Sequence, residues 1–191
     1  MNEVNLISLS KPTAHTECHT AEQLVAYAAR VSNPGNQANH ESAPRLLAYL
    51  AKHKHWSPFE MVHITMEIKT TRDIARQILR HRSFAFQEFS QRYAEVTDDF
   101  VRRDARLQDT KNRQNSVDVA GTELDEEWKM RQAQLHSRIE EDYEWALKNG
   151  IAKEQARAIL PEGNTLSTLY MAGSLRSWLH YCELRMANGT Q

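Results

Sequence analysis

The chain has 191 residues, with 24 lysines and arginines against 25 aspartates and glutamates. This near-neutral balance argues against a protein that binds nucleic acid through bulk electrostatics, and no apolar run approaches the roughly 20 residues that a membrane helix needs. Because the N-terminus lacks a basic stretch followed by an apolar one, we expect a cytoplasmic protein, organised as one domain over residues 1–191.

The N-terminal part of the chain alternates between predicted strands and predicted helices. Strands are indicated where apolar and polar side chains alternate, and helices where a capping residue precedes a helical period. Thr20 and Gln23 form a predicted capping box at the start of the first helix. The predicted strands cover residues 4–9 and 62–70, and the predicted helices cover residues 21–31 and 42–53.

A third helix is predicted over residues 71–81, where Arg72, Arg76 and Arg80 recur every four residues. Three like charges on one helix face repel each other mildly. Asp73 can pair with Arg76, three residues later, whereas Arg80, Arg82 and Arg92 have no local acidic partner except Glu88. A bound phosphate is a natural partner, since the planar guanidinium makes paired hydrogen bonds to phosphate oxygens. A solvated helix face with ion pairs is the alternative.

The middle of the chain combines an irregular region with a long helix. From residue 82 an aromatic-rich spacer breaks the helical period, so a loop and an extended segment are expected. Residues 101–121 show no clear period and predict a surface excursion. Thr122 predicts the cap of a helix that ends near Lys148 and Gly150, with acidic residues in its first turn that suit the helix dipole.

One stripe of this long helix is apolar. Such a stripe is more often part of a core than of a cofactor site, so we expect it to pack within the chain or against another subunit. Its positions are Leu124, Trp128, Leu135, Ile139 and Ala146.

The C-terminal part predicts a short helix that holds Arg157, a strand over residues 164–171 and a last helix capped by Ser174. Together with the preceding elements this mixture indicates an α+β fold. The only cysteines are Cys18 and Cys182, too few for a disulfide framework or a zinc site, so no metal is expected. Cys182 shares a helical stripe with apolar residues and is predicted to be buried.

Residues 80–93, which we call the signature segment, concentrate cations among aromatic side chains. An Arg-His-Arg triplet is followed, after five residues, by Glu-x-Ser-x-Arg. The six positions are Arg80, His81, Arg82, Glu88, Ser90 and Arg92. This spacing resembles the signature of the flavin-dependent thymidylate synthases, with Gln87 where asparagine is usual.

The resemblance extends along nearly the whole chain. Further segments that resemble family elements, in the same order, lie at residues 29–32, 55–60, 157–161 and 174–185. Ser174 stands where an asparagine is common, and one residue is inserted between Pro161 and Arg176. The chain ends at Gln191, whereas family members usually continue for about the length of another helix.

The resemblance implies a single compact α+β domain, with a central, mostly antiparallel sheet flanked by helices, including the long one. It implies a homotetramer whose subunits share each active site. The implied reaction is conversion of dUMP to dTMP, with 5,10-methylenetetrahydrofolate as one-carbon donor, NADPH as reductant and FAD as cofactor. No cysteine nucleophile is implied.

The resemblance also implies site residues. Arg185 is the implied catalytic residue, because it would stabilise negative charge on the pyrimidine and so activate C5. The implied dUMP-binding residues are Gln77, Arg80, Glu88, Phe89, Ser90, Gln91, Arg92, Arg157 and Arg185. The implied FAD-binding residues are Ser32, His55, Ser57, Arg80, His81, Arg82, Glu88, Ser174, Arg176 and His180.

Two alternatives remain open from the residues. A related flavin and folate enzyme could make a different 5-substituted pyrimidine nucleotide. A single-stranded nucleic-acid binding module is the other reading, with residues 72–92 following phosphates and aromatic side chains stacking on bases. The balanced net charge and the presence of Glu88 within the cationic segment disfavour that module.

Overall fold

The computed structural model describes residues 3–97 and 100–186. The strands are β1 (Glu3–Leu9), β2 (His63–Thr71), β3 (Ala85–Glu88), β4 (Arg106–Gln108), β5 (Ser116–Asp118) and β6 (Leu166–Ser174). The helices are α1 (Ala21–Ala29), α2 (Ala43–Lys52), α3 (Arg72–Ile78), α4 (Glu123–Lys148), α5 (Lys153–Ala156) and α6 (Leu175–Arg185). Short 3₁₀ turns cover Ala14–Thr16, Pro34–Asn36, Ser57–Met61 and Arg157–Ile159.

A four-stranded antiparallel sheet organises the chain, with the strand order β1-β2-β6-β3. The two long central strands, β2 and β6, pair in register along their full length, with Met66 opposite Met171. On the other side of β6, Phe86 of β3 also lies opposite Met171. The predicted α+β fold with a central antiparallel sheet flanked by helices is confirmed. The predicted domain range also takes in residues 1–2, 98–99 and 187–191, which lie outside the described residues.

Three hydrophobic clusters hold the helices in place. One joins α3 and α6 to the sheet around Ile68, Leu169 and Met171, with Trp178 packed against it. A second lies between α1, α2 and the Ser57–Met61 turn. The third packs the end of α4 on α5 around Tyr143. Because α6 contacts both of the first two clusters, its orientation is fixed on two sides. No helix within the described ranges is long and apolar enough to cross a membrane.

Gly173 brings the signature segment close to the sheet. A Cβ atom built at Gly173 would lie only 2.5 Å from Cδ1 of Phe84. The Phe84 ring also packs edge-on against Trp178, with ring centroids 4.9 Å apart. A side chain at position 173 would therefore displace the aromatic ring that anchors the signature segment.

Helix α3 is shorter than predicted. It ends at Ile78, so Arg80 follows the helix and does not share a face with Arg72 and Arg76. Both helical arginines have acidic partners that are distant in sequence. Arg76 donates to the carboxylate of Glu162 at 2.7 Å, and Arg72 lies 3.4 Å from Glu88. These ion pairs offset the predicted repulsion without a bound anion.

The predicted surface excursion contains a short hairpin, β4–β5, which is tied to α4 by a buried carboxylate. Asp125 is fully buried and accepts hydrogen bonds from the backbone N–H groups of Ala105 and Gly121, at 2.7 and 2.9 Å. Lys129 adds an ion pair at 2.8 Å. The Lys129 ammonium and then these two N–H groups lower the pKa of Asp125 from 3.8 to about 2.

The apolar stripe of α4 divides into two parts. Ile139 and Ala146 belong to the third cluster, which confirms the packing expected for this half. Leu124, Trp128 and Leu135 are 51%, 44% and 55% exposed in the single chain. This half of the stripe contacts no core in the described chain, so subunit contact there stays a prediction.

The prediction that Cys182 is buried is wrong, because Cys182 is exposed. The stripe on α6 that leads to it begins with Leu175 and Leu179, and both of these pack against the second cluster. The cluster ends before Cys182 is reached, and Met186, one turn further, is also exposed. The apolar period of the sequence therefore continues past the end of the core.

Candidate functional site

The signature segment lies on both sides of β3. Arg80 and Arg82 are exposed in the loop that leads from α3 into the strand. After β3, the backbone N–H of Phe89 donates to Thr168 O at 2.9 Å, which extends the pairing with β6. The chain then turns, and the Tyr93 N–H donates to Ser90 O at 3.1 Å. The sheet thus fixes the middle of the segment and leaves its cationic ends accessible.

The last residue of α6, Arg185, lies against the start of the signature segment. Its Nε donates to Nε2 of His81 at 3.0 Å, and its Nη2 donates to the backbone oxygen of Gln77 at 3.0 Å. Burial, and then the nearby charges of Arg185 and His180, lower the pKa of His81 below its usual 6.5. A neutral imidazole can accept the Arg185 hydrogen bond, so the charge state agrees with the geometry.

Aromatic rings from α6 support this contact. Tyr181 meets His81 edge-on, with ring centroids 4.8 Å apart. The Arg185 guanidinium lies over the Tyr181 ring, 6.0 Å from its centroid. Trp178, one turn earlier on α6, packs 5.9 Å from Tyr181. The sequence interpretation did not assign these two residues to the site, although their spacing of three in a helix beside Arg185 is a usable signal.

Glu88 is held from beneath by buried side chains. The Ser167 hydroxyl donates to Oε1 of Glu88 at 2.8 Å. Arg72 Nη1 lies 3.4 Å from the same oxygen and has no hydrogen-bond partner among the described residues. Arg72 and Ser167 are only 9% and 3% exposed. Both residues are missing from the sequence-based site, because each lies far from Glu88 in the chain.

Arg92 and Arg157 meet at a single glutamate. Arg92 Nε lies 2.9 Å from Oε2 of Glu154, and Arg157 Nε donates to the backbone oxygen of Glu154 at 3.3 Å. Both arginines are exposed. An anion that binds here can replace the exposed carboxylate as the partner of Arg92. The structure therefore places both arginines, which are far apart in the sequence, in contact with the same residue.

Gln91 differs from its neighbours because its side chain is buried. It is 5% exposed, and its Nε2 has no hydrogen-bond partner among the described residues. Arg92 and Tyr93, the next residues, are exposed. Gln91 can therefore make its predicted contact with dUMP only through its backbone.

A cavity of about 440 Å³ near α4 is lined by no cation of the signature segment, whereas a cavity of about 390 Å³ lies beside α6. The second one is lined by Lys54, Trp56, Arg176, His180 and Glu183. Two predicted flavin residues, Arg176 and His180, line it, and two others, His55 and Ser57, flank Trp56 in the chain. Lys54, Trp56 and Glu183 were missed by the sequence interpretation.

The other predicted FAD-binding residues differ in their burial and in their contacts. Ser174 is buried and caps α6 by accepting a hydrogen bond from the Ser177 N–H at 3.3 Å. Arg176 lies 3.7 Å from Glu60. Ser32 is exposed in the turn after α1, and none of the described hydrogen bonds, ion pairs or cavities joins it to another candidate. The structure thus gathers most candidates around α6 but not Ser32.

Comparisons with known proteins agree along nearly the whole chain. The family model for thymidylate synthase complementing protein, Thy1, matches residues 13–191. A protein of Paramecium bursaria Chlorella virus 1, named probable flavin-dependent thymidylate synthase, is 54% identical over 186 residues, covering 97% of this chain and 85% of that one. The flavin-dependent thymidylate synthase of Synechocystis is 49% identical over 191 residues, covering 99% and 87%.

A solved structure is also similar. The UMP/dUMP methylase PolB from Streptomyces cacaoi, bound with 5-Br dUMP, superposes with a TM-score of 0.78 at 31% identity. The match covers 97% of this chain and 78% of PolB.

Proposed function

Because this chain belongs to the Thy1 family of thymidylate synthase complementing proteins, we propose that it catalyses the flavin-dependent methylation of dUMP to dTMP. The observation that carries the proposal is the contact of Arg185 with His81 and Gln77. It joins the C-terminal helix to the signature segment, the two parts of the chain that hold most of the residues assigned to the proposed reaction.

The roles at the nucleotide follow from charge and position. Arg92 and Arg157 are the proposed partners of the dUMP phosphate, since both are exposed and both contact Glu154, Arg92 at the carboxylate and Arg157 at the backbone oxygen. Gln77, Arg80, Glu88 and the residues 89–91 complete the proposed nucleotide site. Arg185 faces the pyrimidine and stabilises charge that develops on the ring while C5 attacks the one-carbon unit. This electrostatic activation takes the place of a cysteine nucleophile.

FAD is the proposed cofactor, and the residues beside α6 fit it. The dinucleotide is anionic, and Arg176 and His180 line the adjacent cavity. His55, Ser57, Ser174 and the triplet at residues 80–82 are further proposed contacts, as is Ser32. When bound, the flavin supplies the hydride that completes the methyl group. In this proposal 5,10-methylenetetrahydrofolate provides the carbon and NADPH provides the electrons.

We also propose a homotetramer with shared active sites. The candidate residues of one chain are spread over several parts of its surface, and the cavity beside α6 is lined by only two of them, Arg176 and His180. The exposed half of the α4 stripe, around Trp128, is a surface that another subunit can cover. A cytoplasmic location stays a prediction of the sequence.

The test of the proposed function is an assay with purified protein, FAD, dUMP, 5,10-methylenetetrahydrofolate and NADPH. We expect a flavin spectrum that bleaches on reduction and a product with the mass of dTMP. Absence of dTMP while the flavin is bound and reducible would contradict the proposal. A different product mass would favour another 5-substituted pyrimidine. Because the similar PolB is named a UMP/dUMP methylase, UMP is tested in parallel.

A first prediction concerns Arg72, which supports Glu88 without reaching the exposed site. Arg72→Met is expected to raise the KM for dUMP about tenfold or more and to change kcat much less, because Glu88 loses the charge that orients it. Steady-state kinetics measures both constants.

The matched control for Arg72 is Arg76→Met, one turn later on α3, which removes an exposed ion pair with Glu162. This control should leave KM unchanged. Arg72→Lys should recover part of the lost affinity, since it keeps the charge. Equal KM values for wild type and Arg72→Met, with only the melting temperature lowered, would assign Arg72 a purely structural role.

A further inference from the structure

The cavity beside α6 has a wall that the sequence did not assign to any ligand. Lys54 and Trp56 form this part of the lining, and Arg176, His180 and Glu183 of the helix form the rest. The volume of about 390 Å³ falls within the range of pockets that hold small ligands. A large part of the lining is therefore formed by the turn that follows α2.

Lys54 occupies a backbone position that usually belongs to glycine. Helix α2 ends with the hydrogen bonds of a Schellman motif: the Lys54 N–H donates to Ala51 O at 3.1 Å and the His55 N–H donates to Leu50 O at 2.9 Å. The φ of Lys54 is 58°, in the left-handed region, where a side chain carries a conformational cost. Non-glycine residues in this region cluster at ligand sites.

The charges around the cavity are unbalanced. Lys54, Arg176 and His180 are basic, and Glu183 is the one acidic residue in the lining. Across residues 3–97 and 100–186, Lys54 makes no ion pair. Arg176 pairs loosely with Glu60, at a distance of 3.7 Å. The lining thus presents more basic groups than acidic ones to whatever enters, which favours an anion.

Trp56 gives the same cavity a flat apolar surface. Its indole is half-buried and packs on Phe59, with ring centroids 5.8 Å apart, so the ring is held in place. A fixed aromatic face suits a planar base. The combination of basic groups and an aromatic ring suits a nucleotide better than a simple anion.

We propose that Lys54 is a ligand-binding residue, whose ammonium acts with Arg176 and His180 to bind a phosphate group of an adenosine phosphate in this cavity. The adenosine phosphate portion is common to FAD and NADPH, so the proposal rests on the proposed function for the natural source of the ligand. Lysine at this position serves binding at the expense of backbone strain.

The test uses Lys54→Gly, which removes the cation and relieves the strain. Titration calorimetry with ADP is expected to show a Kd about three- to tenfold higher than for wild type, while the Kd for adenosine is unchanged. The melting temperature should rise by about 2–4 °C, because glycine adopts a positive φ freely. A residue with a merely structural role would not weaken binding while raising stability.

Two further variants sharpen the result. Lys54→Arg should bind ADP nearly as well as wild type, since it keeps a positive charge. Lys52→Gln, two residues earlier and outside the cavity lining, also removes one positive charge. It should leave the Kd for ADP unchanged.

Two titrations show which dinucleotide supplies the phosphate group. FAD is titrated into protein without flavin, and NADPH is titrated into protein saturated with flavin. A weaker Kd for either dinucleotide in Lys54→Gly supports the inference and identifies the source. The inference is overturned if ADP, FAD and NADPH all bind Lys54→Gly as they bind wild type. Absence of dTMP formation in the wild-type assay tests only the proposed function, because the ADP titration needs no turnover.

Discussion

Replacing Arg185 by alanine is expected to lower kcat by about 100- to 1,000-fold while flavin remains bound. The reason is that Arg185 is the cation that α6 delivers to the signature segment, through hydrogen bonds to His81 and Gln77. In the proposed reaction, charge that develops on the pyrimidine then has no fixed donor. Single-turnover measurements of dTMP formation, beside the visible spectrum of the bound flavin, check both parts.

The controls for this variant separate charge from structure. Arg185→Lys keeps the charge but not the paired donors, and we expect it to recover only part of the rate. Arg138→Ala on α4 removes an arginine whose ion pairs, among the residues that the structure describes, are with exposed carboxylates on its own helix, and it should keep the wild-type rate. The pKa of His81 should rise in Arg185→Ala, because a neighbouring cation is removed. A kcat within threefold of wild type in Arg185→Ala would discard the catalytic role.

Replacing Asp125 by alanine is expected to lower the melting temperature by roughly 5 °C or more, the largest stability effect that we anticipate. The variant leaves two backbone N–H groups and Lys129 without their shared acceptor at a fully buried position. The hairpin β4–β5 would then detach from α4 first. Circular dichroism gives the melting temperature, and hydrogen exchange at Ala105 and Gly121 locates the change.

The Asp125 carboxylate should also make the stability of the chain depend on pH in the acidic range. The pKa of Asp125 in the folded chain is about 2, below its ordinary value of 3.8. Its contribution to stability is therefore complete above the unfolded pKa and is lost as pH falls from about 4 towards 2. Asp125→Asn should flatten this part of the stability curve, whereas Asp142→Asn, at an exposed ion pair on the same helix, should not. Parallel curves for wild type and Asp125→Asn would contradict the assignment.

The features that the sequence predicted well are those decided by neighbouring residues. Thr20 and Gln23 form the predicted capping box, and the side chains of Thr122 and Ser174 accept hydrogen bonds at the starts of α4 and α6. A cap depends on residues within one helical turn, so a local pattern is sufficient. The strands β1 and β2 were likewise visible from their alternation.

The features that the sequence missed depend on distant contacts or on short elements. Glu88 pairs with Arg72, and Arg103 pairs with Asp73 at 2.8 Å, in each case between residues more than ten positions apart in the sequence. Nothing in the local pattern selects such partners. The strands β4 and β5 have three residues each, too few for an alternation to be recognised.

The candidate site shows the same division. The resemblance supplied the residues of the signature segment and Arg185, and the three-dimensional structure brings Arg185 to His81 and Gln77. The resemblance could not supply Lys54, which lines a cavity together with residues of α6, or Ser167, which donates a hydrogen bond to Glu88 of β3. It also placed Ser32 among residues from which the turn after α1 keeps it apart.

The close approach of Gly173 to Phe84 restricts how this protein can diverge. Since a Cβ at position 173 would overlap the ring, a larger residue at 173 is tolerated only together with a smaller one at 84. Relatives should therefore vary these two positions in a correlated way. A variant with a larger residue at 173 and a smaller one at 84 should be more stable than the variant with the larger residue at 173 alone.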